Sequence, residues 1–305
     1  MKSDYNSMRN YMSRHWVLYA MLVLPILFFF IFSYVPMVNL LQAWSRNNVF
    51  LSVWETDWVG WQNFEQAFNN VHFTNAVRNT LMFSFLDLVF GFPAPIILAL
   101  LLNELKFPRF KKITQTISYM PFFLSWIIVG GMVVILFSTN EGAINNILYD
   151  WFNTRVPFLT TPVIWVFVNV FTAIWRTLGW NTIIYLAAIT SINPELYEAA
   201  DIDGASRIRK MWHVTLPGIR PVIVVLLVLT LGGLLGADLA RFYTMENFLV
   251  RDVSMVLPIF IYEWGLRSNQ FALATAVGMF QSVIGTFLLL SGNWLVKKLG
   301  GNGFW

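Results

Sequence analysis

The sequence predicts an all-α, polytopic membrane fold with six transmembrane helices, and three observations carry that reading. Of the 305 residues, 57% are hydrophobic and only 12% are charged, about half the charged fraction of an ordinary soluble domain. The mean hydropathy of +0.61 leaves too little polar sequence to clothe a soluble globule. Stretches free of Asp, Glu, Lys and Arg recur along the chain, at the length of about 20 residues that a helix needs to cross a bilayer core.

The first span, at 16–38, carries no charge and follows Lys2, Arg9 and Arg14. It is too long for a signal peptide and no small-residue cleavage site closes it, so it is read as a retained helix despite Pro25 and Pro36. The second runs over 79–102 with Asp87 inside it, and the third lies within the charge-free stretch 113–140. Residues 163–189 form the fourth, interrupted by Arg176; 221–239 and 271–296 form the fifth and sixth. Gly232 and Gly236, and likewise Ala274, Gly278 and Ser282, stand four apart, the spacing at which helices approach closely in lipid. Six spans put both termini on one side, and basic residues select the side. Thirteen lie on it: Lys2, Arg9, Arg14, Lys106, Arg109, Lys111, Lys112, Arg207, Arg209, Lys210, Arg220, Lys297 and Lys298. Arg46, Arg155, Arg241, Arg251 and Arg267 fall in the opposite loops. The positive-inside rule therefore makes both termini cytoplasmic. Trp44, Trp54, Trp58 and Trp61 follow the first span on the outer side, suiting an interfacial aromatic belt.

Composition also excludes functions. Cysteine is absent and the three histidines, His15, His72 and His213, are far apart, so no metal site is expected. The net charge of +4 is accounted for by the cytoplasmic loops and implies no nucleic acid. The chain has no G-x4-G-K-[ST] loop and no G-x-S-x-G elbow. It is expected to be no enzyme and to bind no cofactor itself.

The loop at 190–220 is the most informative segment. Asn193 is a good N-cap, Pro194 suits the first helical position and Glu195 favours the positive end of the dipole. Gly204 offers the backbone freedom to turn from this helix into a second at 205–213, which Pro217 should end before the fifth span. Leu196, Tyr197, Ala200 and Ile202 give the pair a mixed face suited to a protein groove.

Glu198-Ala199-Ala200, three residues, Gly204, nine residues, then Val214-Thr215-Leu216-Pro217 resembles the EAA loop of ABC importer permeases, with valine for isoleucine at 214. The wider run 197–206 is similar to the carbohydrate-uptake branch. Tyr119-Met120-Pro121, Leu124-Ser125-Trp126, Trp175-Arg176, Gly179-Trp180 and the ending Lys297-Lys298-Leu299-Gly300 look like the LplB group of polysaccharide permeases. The resemblance covers essentially the whole chain. It implies a type I ABC importer permease fold in the bacterial plasma (inner) membrane, with 76–298 as a five-helix core that includes the loop, 1–75 as an added tail, first helix and Trp-rich outer loop, and 299–305 as a tail. Glu198, Ala199, Ala200, Asp203, Gly204, Leu216 and Pro217 would then form a coupling helix seated in a cytoplasmic ATPase, which binds ATP-Mg in the chain's stead. The implied partners are a second permease, two ATPases and an outer solute-binding protein received by loops 140–161 and 241–270.

Ionisable residues within spans face a partner helix or a watery path, and Asp87, Arg176 and Asp238 qualify. Asn169, Trp180, Asp238, Arg241 and Tyr243 supply the stacking and hydrogen-bonding chemistry that a sugar needs. The stretch around Asp238 departs from the Asn-Ala-Gly-Phe-Asp-Gln type of segment expected of the LplB group. Two other readings stay open: an ion-coupled secondary transporter, which would require inverted repeats, and an ABC importer of a non-carbohydrate solute.

Overall fold

The computed structural model describes residue 11 and residues 14–298; Lys2, Arg9 and the tail at 299–305 lie outside the described residues. In chain order come α1 (Trp16–Trp44), α2 (Gln62–Phe68), α3 (Val71–Asn103), α4 (Pro108–Phe123), α5 (Trp126–Phe137) and α6 (Ala143–Phe152). They are followed by α7 (Pro162–Thr190), α8 (Pro194–Ile202), α9 (Arg207–Gly232) and α10 (Leu239–Met245). Last are α11, which starts at Leu257–Phe260 and continues as a π-helix over Ile261–Arg267, and α12 (Phe271–Lys298). The isolated pairing of Ser45 with Trp58 closes the loop between α1 and α2.

Helices α1, α3, α7, α9 and α12 are each long and apolar enough to cross a bilayer. A sixth span exists only as a bent pair, because α4 and α5 meet at 104°, which corrects the expectation of one straight helix within 113–140. Pro121 lies in the last turn of α4, and Ser125 starts α5 by accepting the N–H of Ile128 at 3.4 Å. A side-chain oxygen thus replaces a backbone carbonyl, and the carbonyl of Leu124 is released from the helical ladder.

The expected break at Pro217 does not occur. A proline gives no N–H and its ring crowds the carbonyl four residues earlier. In three spans a single π turn precedes the proline and makes that room. The N–H groups of Val35, Phe92 and Leu216 reach back five residues to the carbonyls of Phe30, Asp87 and Met211, immediately before Pro36, Pro93 and Pro217. Helix α9 therefore runs unbroken from Arg207 to Gly232, absorbing the second loop helix. It also stops earlier than the expected fifth span at 221–239, since Gly232 and Gly233 lower the helical propensity there.

The main core joins α3, α7, α10, α11 and α12 through Phe83, Trp165, Phe242, Phe260 and Leu273, all nearly fully buried. The indole N–H of Trp165 donates to the Met245 carbonyl at 2.9 Å. A smaller cluster of Ala99, Tyr185, Ile189 and Ile219 holds α3, α7 and α9 together near the loop. Every side chain over 16–40 is exposed, so most of α1 meets lipid or another chain. Trp54, Trp58 and Trp61 are exposed as well, while Trp44 packs on Phe64.

Of the expected small-residue contacts, Gly232 is used and Gly278 is not. A Cβ on Gly285 would lie 2.8 Å from the Gly232 carbonyl oxygen, whereas one on Gly278 would meet nothing within 4 Å. Gly285→Val is therefore expected to separate α9 from α12 and to cost about 1–3 kcal/mol. Thermal unfolding of the purified protein should show a clear drop for Gly285→Val and almost none for Gly278→Val.

Candidate functional site

Polar groups converge where α3, α7, the segment 233–238 and Trp126 line an open cavity of about 350 Å³. At about 1.5 Å rise per residue, Asp87 lies about 24 Å along α3 and Arg176 about 21 Å along α7, which places both near mid-depth of their spans. Asp87 opens the π turn of α3, and one turn earlier Ser84 donates its hydroxyl to the Leu234 carbonyl. These contacts fix the chain beyond the end of α9 against α3.

Arg241 is the best-held charged residue at the site. Its Nη1 and Nη2 donate to the two carboxylate oxygens of Asp87 at 2.6 and 3.2 Å, and its Nε donates to Asn169 Oδ1 at 2.8 Å. Phe83 and Phe242 lie 5.8 and 5.0 Å from the guanidinium carbon. Its side chain is 8% exposed against 37% for Asp87, which opens onto the cavity. This corrects the assignment of Arg241 to an outer loop: α10 turns inward and buries it. Asn169 is fully buried behind the pair and also donates to the Met245 sulfur at 3.7 Å.

Arg176 stands on another wall. Its Nε donates at 3.0 Å to the Leu124 carbonyl that the α4–α5 break releases. Its guanidinium carbon lies 4.7 Å from the Trp126 ring centroid and 5.5 Å from that of Phe122. Asp238, expected near the end of a span, is the exposed N-cap of α10, accepting the Ala240 N–H at 2.9 Å, and it also lines the cavity. Outside the spans, burial pushes the Glu246 carboxyl above the usual glutamate range, with Arg251 and Arg267 acting against the shift.

Of the five residues expected along a path, Asp238 and Arg241 line this cavity and Asn169 supports Arg241. Trp180 stacks on Phe122 at 4.5 Å and Tyr243 meets Tyr262 edge-on, each about two-fifths exposed and neither in the lining. Sequence reasoning missed Ser84, Thr177, Asn181 and Thr230, which do line it. Their signal was present: Thr177 and Asn181 stand four apart on α7, and Ser84 precedes Asp87 by three on α3, so each pair shares a face.

The cytoplasm-assigned loop forms a second, solid feature. Asn193 caps α8 by accepting the Glu195 N–H at 3.1 Å. Gly204 has φ of +70°, and the Ala205 N–H closes back on the Ala200 carbonyl at 2.9 Å, as in a Schellman turn. Lys210 bonds Asp201 at 2.6 Å and Tyr197 shares a 3.0 Å hydrogen bond with Thr215, tying α8 to α9. Glu198, Ala199, Asp203 and Pro217 are exposed, Leu216 joins the inner cluster, and Ile202 is 87% exposed. Among the described residues, no group of three or more His, Asp or Glu side chains is placed to hold a metal ion.

The family described as the inner membrane component of binding-protein-dependent transport systems matches residues 72–301. The chain belongs to that family. As a binding-protein-dependent inner membrane component it is a multi-pass permease subunit, the non-catalytic membrane part of a transporter. It is 40% identical over 286 residues to protein LplB of Bacillus subtilis, covering 94% of this chain and 90% of that one. It is also 40% identical over 288 residues to the polygalacturonan/rhamnogalacturonan transport system permease protein YteP of the same organism, with the same coverage. Among solved structures it is similar to a chain of a bacterial alginate ABC transporter in complex with an alginate pentasaccharide-bound periplasmic protein. That match has a TM-score of 0.89 and 37% identity over 96% of this chain and 98% of that one.

Proposed function

We propose that this permease carries an oligosaccharide or polysaccharide fragment of acidic type across the membrane, and that the mid-depth cavity is part of its path. The observation that carries this reading is the convergence of Asp87, Arg176, Asp238 and Arg241 on one open cavity, the first two from within otherwise apolar spans. Ionisable groups at that depth are costly unless they serve a polar path or a partner. The acidic saccharide class is supported by relatives at 40% identity, one of them named for polygalacturonan and rhamnogalacturonan transport, and by the alginate transporter.

In this reading a second permease completes the path, an outer solute-binding protein delivers the cargo, and two ATPases bind ATP-Mg and drive the cycle, so that the chain needs no cofactor of its own. Both termini and the loop around Glu198, Ala199, Ala200, Asp203, Gly204, Leu216 and Pro217 face the cytoplasm. The mechanical route follows from helix continuity. The loop is fastened to α9 by Lys210–Asp201 and Tyr197–Thr215, and α9 ends at Gly232, beside cavity-lining Gly233, Leu234 and Asp238. Rotation of an ATPase groove around α8 then moves a rigid rod whose far end is cavity wall, which is how a docking motion opens or closes a path.

Affinity purification of the tagged chain from its native membranes tests the assembly. The expected companions are an ATPase, a second permease and a binding protein whose bound saccharide carries carboxylates. A chain that purifies alone, from membranes that take up the saccharide, would overturn the reading.

A further inference from the structure

We infer that Arg176 selects for negative charge in the cargo, its two Nη groups receiving one carboxylate of an acidic saccharide in end-on, bidentate fashion. The inference rests on the cavity being the path proposed above. Four ionisable residues line the cavity, and they are not equivalent. Asp87 and Arg241 neutralise each other through two hydrogen bonds. Asp238 commits one oxygen to the α10 N-terminus and offers acceptors only. Arg176 alone offers donors without a countercharge: no carboxylate among the described residues pairs with it, and its Nε alone is hydrogen-bonded to protein.

That engagement does more than anchor the side chain. The Leu124 carbonyl holds the Nε edge, and the Trp126 ring lies 4.7 Å from the guanidinium carbon, restricting its movement. A guanidinium bonded at its Nε edge and packed beside a ring leaves its Nη fork free for a ligand with less freedom left to lose. This preorganised fork matches a carboxylate better than a hydroxyl, because a carboxylate accepts both N–H bonds and supplies the missing charge. The α4–α5 break gains a purpose here, since a straight helix would have consumed the Leu124 carbonyl itself. A purely structural Arg176, stapling the break, would use the same Nε bond but would be indifferent to the cargo's charge.

The test uses the complete transporter in proteoliposomes, with trigalacturonate and its methyl ester as probes. The same binding protein delivers both, so its own preference cancels when variants are compared by their acid-to-ester uptake ratio. Arg176→Gln is expected to lower uptake of the acid at least tenfold and of the ester less than threefold. Arg176→Lys, which keeps the charge and loses the fork, is expected to lower the ratio about threefold, and it decides the question alone if the glutamine variant does not assemble. An equal fall for both probes, or an unchanged ratio, would make Arg176 a staple and overturn the inference while leaving the path reading intact. Wild-type transporter that imports neither probe, or the ester alone, would overturn the acidic-cargo reading and this inference together.

Discussion

Arg241→Met is expected to destabilise the protein by about 3 kcal/mol and to abolish uptake. The arginine fills a role that no neutral side chain takes over, because it satisfies both carboxylate oxygens of Asp87 and the Asn169 oxygen at once. Removing it strands a carboxylate within a span and leaves the fully buried Asn169 amide oxygen without its donor. Breaking one side of a buried ion pair costs about 3–5 kcal/mol, and the 37% exposure of Asp87 onto the cavity sets the expectation at the lower end. Asp87→Leu combined with Arg241→Met removes both charges, so it should recover most of the thermal resistance lost by the single variant. It should not recover uptake, since the cavity wall loses its charged pair. Melting of the detergent-purified complex separates the two effects. A single variant as stable as wild type would mean that the pair contributes no net stability and that α10 is held by Phe242 and Met245 packing alone.

Much of this candidate site was legible in the sequence. Asp87 and Arg176 stood out as charges within apolar runs, and Asn169 and Arg241 were selected for their hydrogen-bonding chemistry. Their pairing was not legible, because residues 154 positions apart are joined only by the inward turn of α10. The local cue for that turn was ambiguous: Gly232, Gly233 and Gly236 read equally well as small-residue packing and as the end of a helix. The loop at 190–220 shows the opposite balance. Its N-cap at Asn193 and its turn at Gly204 depend on near neighbours, and both appear where the sequence places them. Only Pro217 misled, since the rule that proline ends a helix omits the π turn that lets three of these spans continue. The same π turn puts Asp87 at its opening residue, so the feature that hid the continuity of α9 also positions a charged group of the cavity in α3.

The second large effect is expected at Gly204, and its origin is backbone conformation, not packing. A Cβ there would meet nothing within 4 Å, but φ of +70° lies in the left-handed region, where a β-branched residue is strained by about 1–2 kcal/mol. Gly204→Val should relax by rotating the turn. That movement opens the Ala205-to-Ala200 closure and pulls Asp201 from Lys210 and Tyr197 from Thr215. The chain itself should lose about 1–2 kcal/mol and still fold, since the strain and the broken contacts are confined to the loop and the helix cores are untouched. The ATPase, in contrast, should be lost on purification and uptake should fall more than tenfold, because α8 would no longer move as one body with α9. Gly204→Asn provides the control, as asparagine tolerates the left-handed region and should retain most of the ATPase. Glu198→Ala separates the remaining possibility by leaving the turn intact and removing one exposed charge. If the valine variant keeps both its ATPase and its uptake, the path from a docked α8 through α9 to the cavity wall is not how this permease is driven.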